Sequence, residues 1–135
     1  MTLLPDIEAL CAAMTEVRRD LHAHPELSLE EARTADVVAR HLEESGLEVT
    51  RGIGGHGVVG TLRRGGNRPA VMFRADMDAL AIEEASGVAH ASRNAGVMHA
   101  CGHDGHTAML LGAARALADD ASVTRDIHFV FQPAE

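Results

Sequence analysis

The run Pro69-Ala70-Val71-Met72-Phe73 constrains this chain more than any other feature. It is short, apolar throughout and bounded by turn residues, with Gly65-Gly66-Asn67 before it and Arg74-Ala75-Asp76-Met77-Asp78 after it. An apolar run without alternation predicts a strand buried on both faces. Ile127 to Phe131 is a second such run, followed by Gln132-Pro133-Ala134-Glu135. Between the two, Asp104 to Asp119 places Met109, Leu110, Ala113, Ala114 and Leu117 on the inward face of a helix. Buried strands interleaved with helices predict an α/β fold, a layered α/β/α sheet.

The first half follows the same pattern. Ile7, Leu10, Cys11, Met14, Val17 and Leu21 recur at steps of three and four, which predicts an amphipathic helix with Cys11 as a small buried hydrophobe. It should stop before His22-Ala23-His24-Pro25, because the residue before proline avoids helical geometry. Ser28-Leu29-Glu30-Glu31 fits a capping box opening a second helix to about Glu44, with Gly46 as its stop. Leu47–Thr50 and Val58–Leu62 are strand candidates, and residues 63–67 suggest a hairpin-type connection.

Composition narrows the function. The 135 residues suit one domain, and the net charge of −8 argues against nucleic acid as a partner. With no Lys there is no amine for Schiff-base chemistry. With no Trp or Tyr, aromatic stacking platforms are not expected. Cys11 and Cys101 do not form a disulfide framework. The apolar runs fall far short of the roughly 20 residues of a membrane span, and the N-terminus lacks a basic leader. A soluble, cytoplasmic protein without membrane partners is the expectation.

Three places could carry chemistry. Asp76 and Asp78 lie just past the carboxyl end of a strand, where α/β proteins bind ligands; they also read as two solvated carboxylates at a strand exit. Residues 99–106 hold three of the nine His together with Cys101 and Asp104. Cys101 and His103, separated by Gly102, can both face one ion such as Zn²⁺; the alternative is a polar loop with solvated His and a structural Cys. Asp104 also suits a helix start by its charge alone. Glu135 follows a buried strand and could act as a base, although by itself a carboxylate there reads as solvated. His22 and His24 read as polar side chains of a helix-ending turn, and His41 as a surface residue. His56, His90 and His128 show no partner pattern.

Four ordered blocks together resemble a known family: residues 18–28 around His22-Ala23-His24-Pro25-Glu26, residues 73–80 around Asp76-Met77-Asp78, residues 98–108 around Cys101-Gly102-His103-Asp104-Gly105-His106, and residues 131–135 ending Pro133-Ala134-Glu135. They resemble the hippurate hydrolase and indole-acetyl-amino-acid hydrolase group of N-acyl-amino-acid amidohydrolases, in the dinuclear metallo-aminoacylase and carboxypeptidase superfamily. The resemblance implies a zinc-peptidase-like catalytic domain with two divalent ions (Zn, Mn, Co or Ni). Cys101 and His103 match metal ligands, Glu135 the general base and Asp78 a residue that supports the metal site. Asp76 stands where many relatives carry a metal-binding His, and the roles of Asp76, His22, His24 and His106 are left open. Ala81, Ala89 and His90 depart from the family's frequent Pro, Pro and Tyr in the loop leading to the site.

The implied activity is metal-dependent cleavage of the amide of a small N-acyl-amino acid, by an enzyme whose family members form homo-oligomers. Such enzymes run to nearly three times this length. Residues 1–135 are therefore read as the N-terminal part of the catalytic domain, without the inserted dimerisation domain, the second Glu of the pair or the later His ligands. On that reading the isolated chain is expected to be inactive. The alternative is a non-catalytic metal-binding or interaction fragment.

Overall fold

The computed structural model describes residues 7–135. The elements are α1 (Ile7–Ala23), α2 (Ala32–Glu44), β1 (Glu48–Ile53), β2 (Gly57–Leu62), β3 (Val71–Asp76), α3 (His103–Asp119) and β4 (Ile127–Gln132). The fold is mixed α/β, as the apolar runs predict. The four strands form one sheet in the order β1-β2-β4-β3. β1 and β4 each run antiparallel to β2, and β3 runs parallel to β4.

The core forms on one face of this sheet. Val58 and Leu62 of β2 and Ile127, Phe129 and Phe131 of β4 point to the same side. They meet Val38 and Leu42 of α2 and Leu110, Leu111 and Ala114 of α3 in one cluster. Gly60 belongs to that face too: a Cβ there would lie 2.9 Å from a Leu42 methyl, so glycine is what lets α2 approach. α1 packs on α3, with Met14 seated over Gly112. Among the described residues no helix is long and apolar enough to cross a membrane.

Several local expectations are corrected. β3 is not buried on both faces: Met72 is 67% exposed and Phe73 43%. Among the described residues it is the edge strand of the sheet: Met72, paired with His128, points away from the helices, and Phe73, stacked on Phe129 on the helix face, is left half exposed at the open edge. Residues 63–70 form no hairpin, because β4 lies between β2 and β3. That link is pinned instead by Asp126, whose Oδ1 accepts the N–H groups of Arg64 (2.7 Å) and Gly65 (2.9 Å). Cys11 and Met109 are exposed, because α1 covers α3 mainly through its later turns.

The helix ends differ as well. α1 continues through His22 to Ala23 before Pro25 stops it. The Ser28 capping box does not form. The carboxylate of Glu26 does that work from outside the helix, accepting the N–H groups of Arg33 (3.0 Å) and Thr34 (2.7 Å) and the Thr34 hydroxyl (2.7 Å). A carboxylate there satisfies free donors and faces the positive end of the helix dipole. At the other end Gly46 adopts φ +79° as the Gly46 and Leu47 N–H groups return to the carbonyls of Glu43 and Leu42. This is the Schellman ending that glycine favours.

Candidate metal centre

The parallel pair β3 and β4 explains where the site forms. Both strands end on the same edge of the sheet, and α3, which returns the chain between them, begins there. Asp76 and Asp78 therefore leave β3, Glu135 leaves β4 and His103 opens α3, all at the carboxyl edge where open α/β sheets form ligand crevices. Gly102, just before α3, has φ +80°, a conformation that a Cβ disfavours. It turns the chain between Cys101 and His103.

His103 lies at the centre. Its Nδ1 is 2.9 Å from the Asp78 carbonyl oxygen and 3.1 Å from Asp78 Oδ1. Only acceptors face that nitrogen, so Nδ1 carries the proton. The lone pair of Nε2 is then directed at Asp76 Oδ1 (3.6 Å) and Glu135 Oε2 (3.3 Å). Holding one nitrogen of a His through a carboxylate so that the other can ligate is how metal sites fix their imidazoles. Asp78 is held in turn by the Ser28 hydroxyl at 2.7 Å. Burial alone would raise the Asp78 carboxyl, but the hydrogen bonds from Ser28 and the Glu135 backbone N–H outweigh it and keep Asp78 below its ordinary value.

Asp76 binds a second imidazole. Its Oδ1 lies 2.6 Å from His106 Nδ1, and its backbone carbonyl accepts the Thr107 hydroxyl at 2.9 Å. Burial again pushes upward, and the hydrogen bond from His106 leads the contacts that outweigh it, so Asp76 also stays low. One ligating atom each from Asp76, His103 and His106 lie within 4.8 Å of one another. A carboxylate and two imidazoles are donors that divalent first-row ions accept, so this set fits a metal.

The structure thus brings Asp78, His103 and Glu135 together. Cys101 sits on the same turn, but it is exposed and outside the three-residue donor group. Glu135 is half exposed, with Arg74 at 3.7 Å on its other oxygen. The N–H of Ala134, before it, is held at 2.8 Å by the fully buried Glu31. His106 and Ser28 had only weak sequence signals. Glu31 reads in the sequence only as part of a capping box, because its partner lies 103 residues away.

A second buried cluster lies behind the turn. Asp104 accepts from His22 and Arg18, and His22 also meets Glu84. The Ser86 hydroxyl and the Ser92 N–H hold Glu84 down to about 2. His99 is buried with no partner on either nitrogen, and burial pushes it down to about 4.

The sequence pattern of peptidase family M20/M25/M40 matches residues 72–135, the stretch that carries every residue of the three-donor group. This stretch is M20 peptidase sequence. Hippurate hydrolase of Campylobacter jejuni is 44% identical over 135 residues, all of this chain and 35% of that protein. Thermostable carboxypeptidase 2 of Saccharolobus solfataricus is 46% identical over 134 residues, 96% of this chain and 34% of its own. The crystal structure of a Bacillus subtilis protein, described as a dinuclear metal binding peptidase from the M20 family, superposes with a TM-score of 0.89 at 40% identity. That match covers 95% of this chain and 36% of the other. The chain spans about a third of the length of these relatives.

Proposed function

We propose that this chain carries part of the active site of a metal-dependent amidohydrolase, which cleaves the amide between a small acyl group and an amino acid. The orientation of His103 carries the reading: Asp78 occupies Nδ1, and Nε2 faces the carboxylates of Asp76 and Glu135. His103 and Cys101 serve as ligands of a divalent ion, with Asp76 and His106 as neighbouring donors. Such an ion supplies Lewis acidity, stabilising the negative charge that builds as water adds to an amide carbonyl.

The remaining chemistry belongs to the side chains. Glu135 takes a proton from the attacking water and delivers it to the departing amide nitrogen, so that a carboxylic acid and a free amine result. Its position beside His103 and its exposure on one side suit that transfer. Asp78 stays ionised and keeps the imidazole in one tautomer. The names of the relatives, hippurate hydrolase and carboxypeptidase, support N-acyl-amino acids as the substrate class.

The test uses the full-length protein that carries these residues. Amino-acid release from N-benzoylglycine and a panel of N-acetyl-amino acids is measured before chelation, after it, and after metal is restored. Release that disappears and returns supports the reading. No release from any of them by metal-loaded protein, or release indifferent to chelation, refutes it.

A further inference from the structure

His22 has no place in the chemistry above, yet it is one of the most constrained side chains in the molecule. It is buried at the end of α1, and both ring nitrogens are engaged. Nδ1 lies 2.8 Å from Asp104 Oδ2, and Nε2 lies 3.1 Å from Glu84 Oε1. Asp104 is fully buried, takes a second donor from Arg18 Nε at 3.1 Å, and directly follows His103 in the chain. Glu84 is buried too and is tied to the Ser86 hydroxyl and the Ser92 N–H.

Burying an imidazole between two carboxylates is a poor route to stability, because removing charges from water offsets most of what their attraction returns. Apolar side chains would fill this space at less risk. What the arrangement does is fix position. Asp104 and His103 are adjacent residues in the first turn of α3, and their side chains are gripped from different quarters: Asp104 by α1, and His103 by Asp78 beyond the end of β3. A first turn held at both residues cannot rotate, so His103 Nε2 keeps its direction.

We infer that His22 is a positioning residue for the candidate metal centre, acting through Asp104 on His103. This rests on the proposed metal-site reading, but one of its readouts does not. The side-chain amide of Asn can replace the Nδ1 donor to Asp104, whereas that of Gln reaches to where Nε2 meets Glu84. The two substitutions therefore separate the two contacts.

The experiment compares His22→Asn, His22→Gln, Glu84→Gln and Arg18→Met in the full-length protein. One readout is Zn²⁺ affinity by chelator competition. The other, on metal-free protein, is the tautomer of His103 from imidazole nitrogen NMR shifts. His22→Gln should weaken Zn²⁺ at least about tenfold, as loss of outer support does at metal sites, and His103 should lose its uniform Nδ1–H tautomer. His22→Asn and Glu84→Gln should keep the parental affinity, with the tautomer intact. Arg18 is 47% exposed, so Arg18→Met should fold; removing one of two donors to Asp104 should weaken Zn²⁺ about threefold.

If His22→Gln fails to fold, Arg18→Met decides. Parental affinity and tautomer in His22→Gln and Arg18→Met, or in Arg18→Met alone where His22→Gln does not fold, would overturn the inference, as would losses that follow Glu84 rather than Asp104. A parent that binds no Zn²⁺ refutes the function proposed above, and the tautomer comparison still decides the role of His22.

Discussion

Replacing Asp78 by Ala tests the geometry most directly. Besides accepting the Glu135 backbone N–H, the side chain makes two contacts that bear on the imidazole: Oδ1 accepts from His103 Nδ1 at 3.1 Å, and Oδ2 accepts from Ser28 at 2.7 Å. The substitution removes both but leaves the 2.9 Å bond from His103 to the Asp78 backbone carbonyl. Half of the support for the imidazole therefore survives. Loss of an outer carboxylate at a metal site weakens metal about 10–100-fold, and the surviving bond places Asp78→Ala at the lower end, about tenfold or about 1.4 kcal/mol. Asp78→Asn keeps an oxygen for His103 and should lose only about threefold in affinity. Its new N–H₂ group cannot accept from the Glu135 backbone, so kcat should fall further than affinity does. Competition with a chromophoric chelator measures the affinities, and circular dichroism checks the fold. Asp78→Ala with metal affinity within twofold of the parent would refute the assigned orientation of His103.

Four further outcomes follow from the same contacts. Glu135→Gln should lower kcat by about 10²–10⁴ with metal retained, read by turnover and elemental analysis together. Glu26→Ala removes three hydrogen bonds to the start of α2 and should cost about 2–4 kcal/mol, a fall in Tm of roughly 7–14 °C by calorimetry. Gly57→Ala would place a Cβ 2.2 Å from the Ile53 carbonyl oxygen, in a tight hairpin that cannot yield cheaply; a loss of about 1–3 kcal/mol in urea unfolding is expected. Glu84 titrates at about 2 in the folded state against an ordinary 4.5, so its contribution is complete above pH 4.5 and fades as pH falls towards 2. Glu84→Gln should flatten that part of the acid-unfolding curve.

The elements were legible because they are local. Spacing such as that of Leu110, Leu111 and Ala114 is written within a few turns, and the two apolar runs did become strands. Burial was less legible: Met72 and Phe73 are as apolar as a central strand requires, but their exposure depends on the edge position of β3 in the strand order. Caps and clamps were illegible for a physical reason. Ser28 had the right spacing for a capping box, yet Asp78, 50 residues away, recruited its hydroxyl and Glu26 took the helix start. The site was half legible. The Cys-Gly-His pair points to a metal and the paired Asp to a ligand crevice, but that His103 faces Asp76 and Glu135 follows only from the parallel strands. His22 read as a helix-ending polar residue because both its partners are distant in sequence.

Strand order also has a consequence for how the molecule is made. β4 sits between β2 and β3 but is synthesised after both. A nascent chain can close the local β1–β2 hairpin early, whereas β3 has no neighbour to pair with until β4 emerges. During that interval the apolar side chains of Met72 and Phe73 and the open ladder of β3 are free to engage other chains, the period when slow, non-local sheets are most prone to aggregate. When β4 inserts, one event joins the sheet and carries Glu135 to His103. The pairing of β3 and the arrival of Glu135 at His103 are therefore the same kinetic step, and a ribosome paused before residue 127 holds a chain with neither.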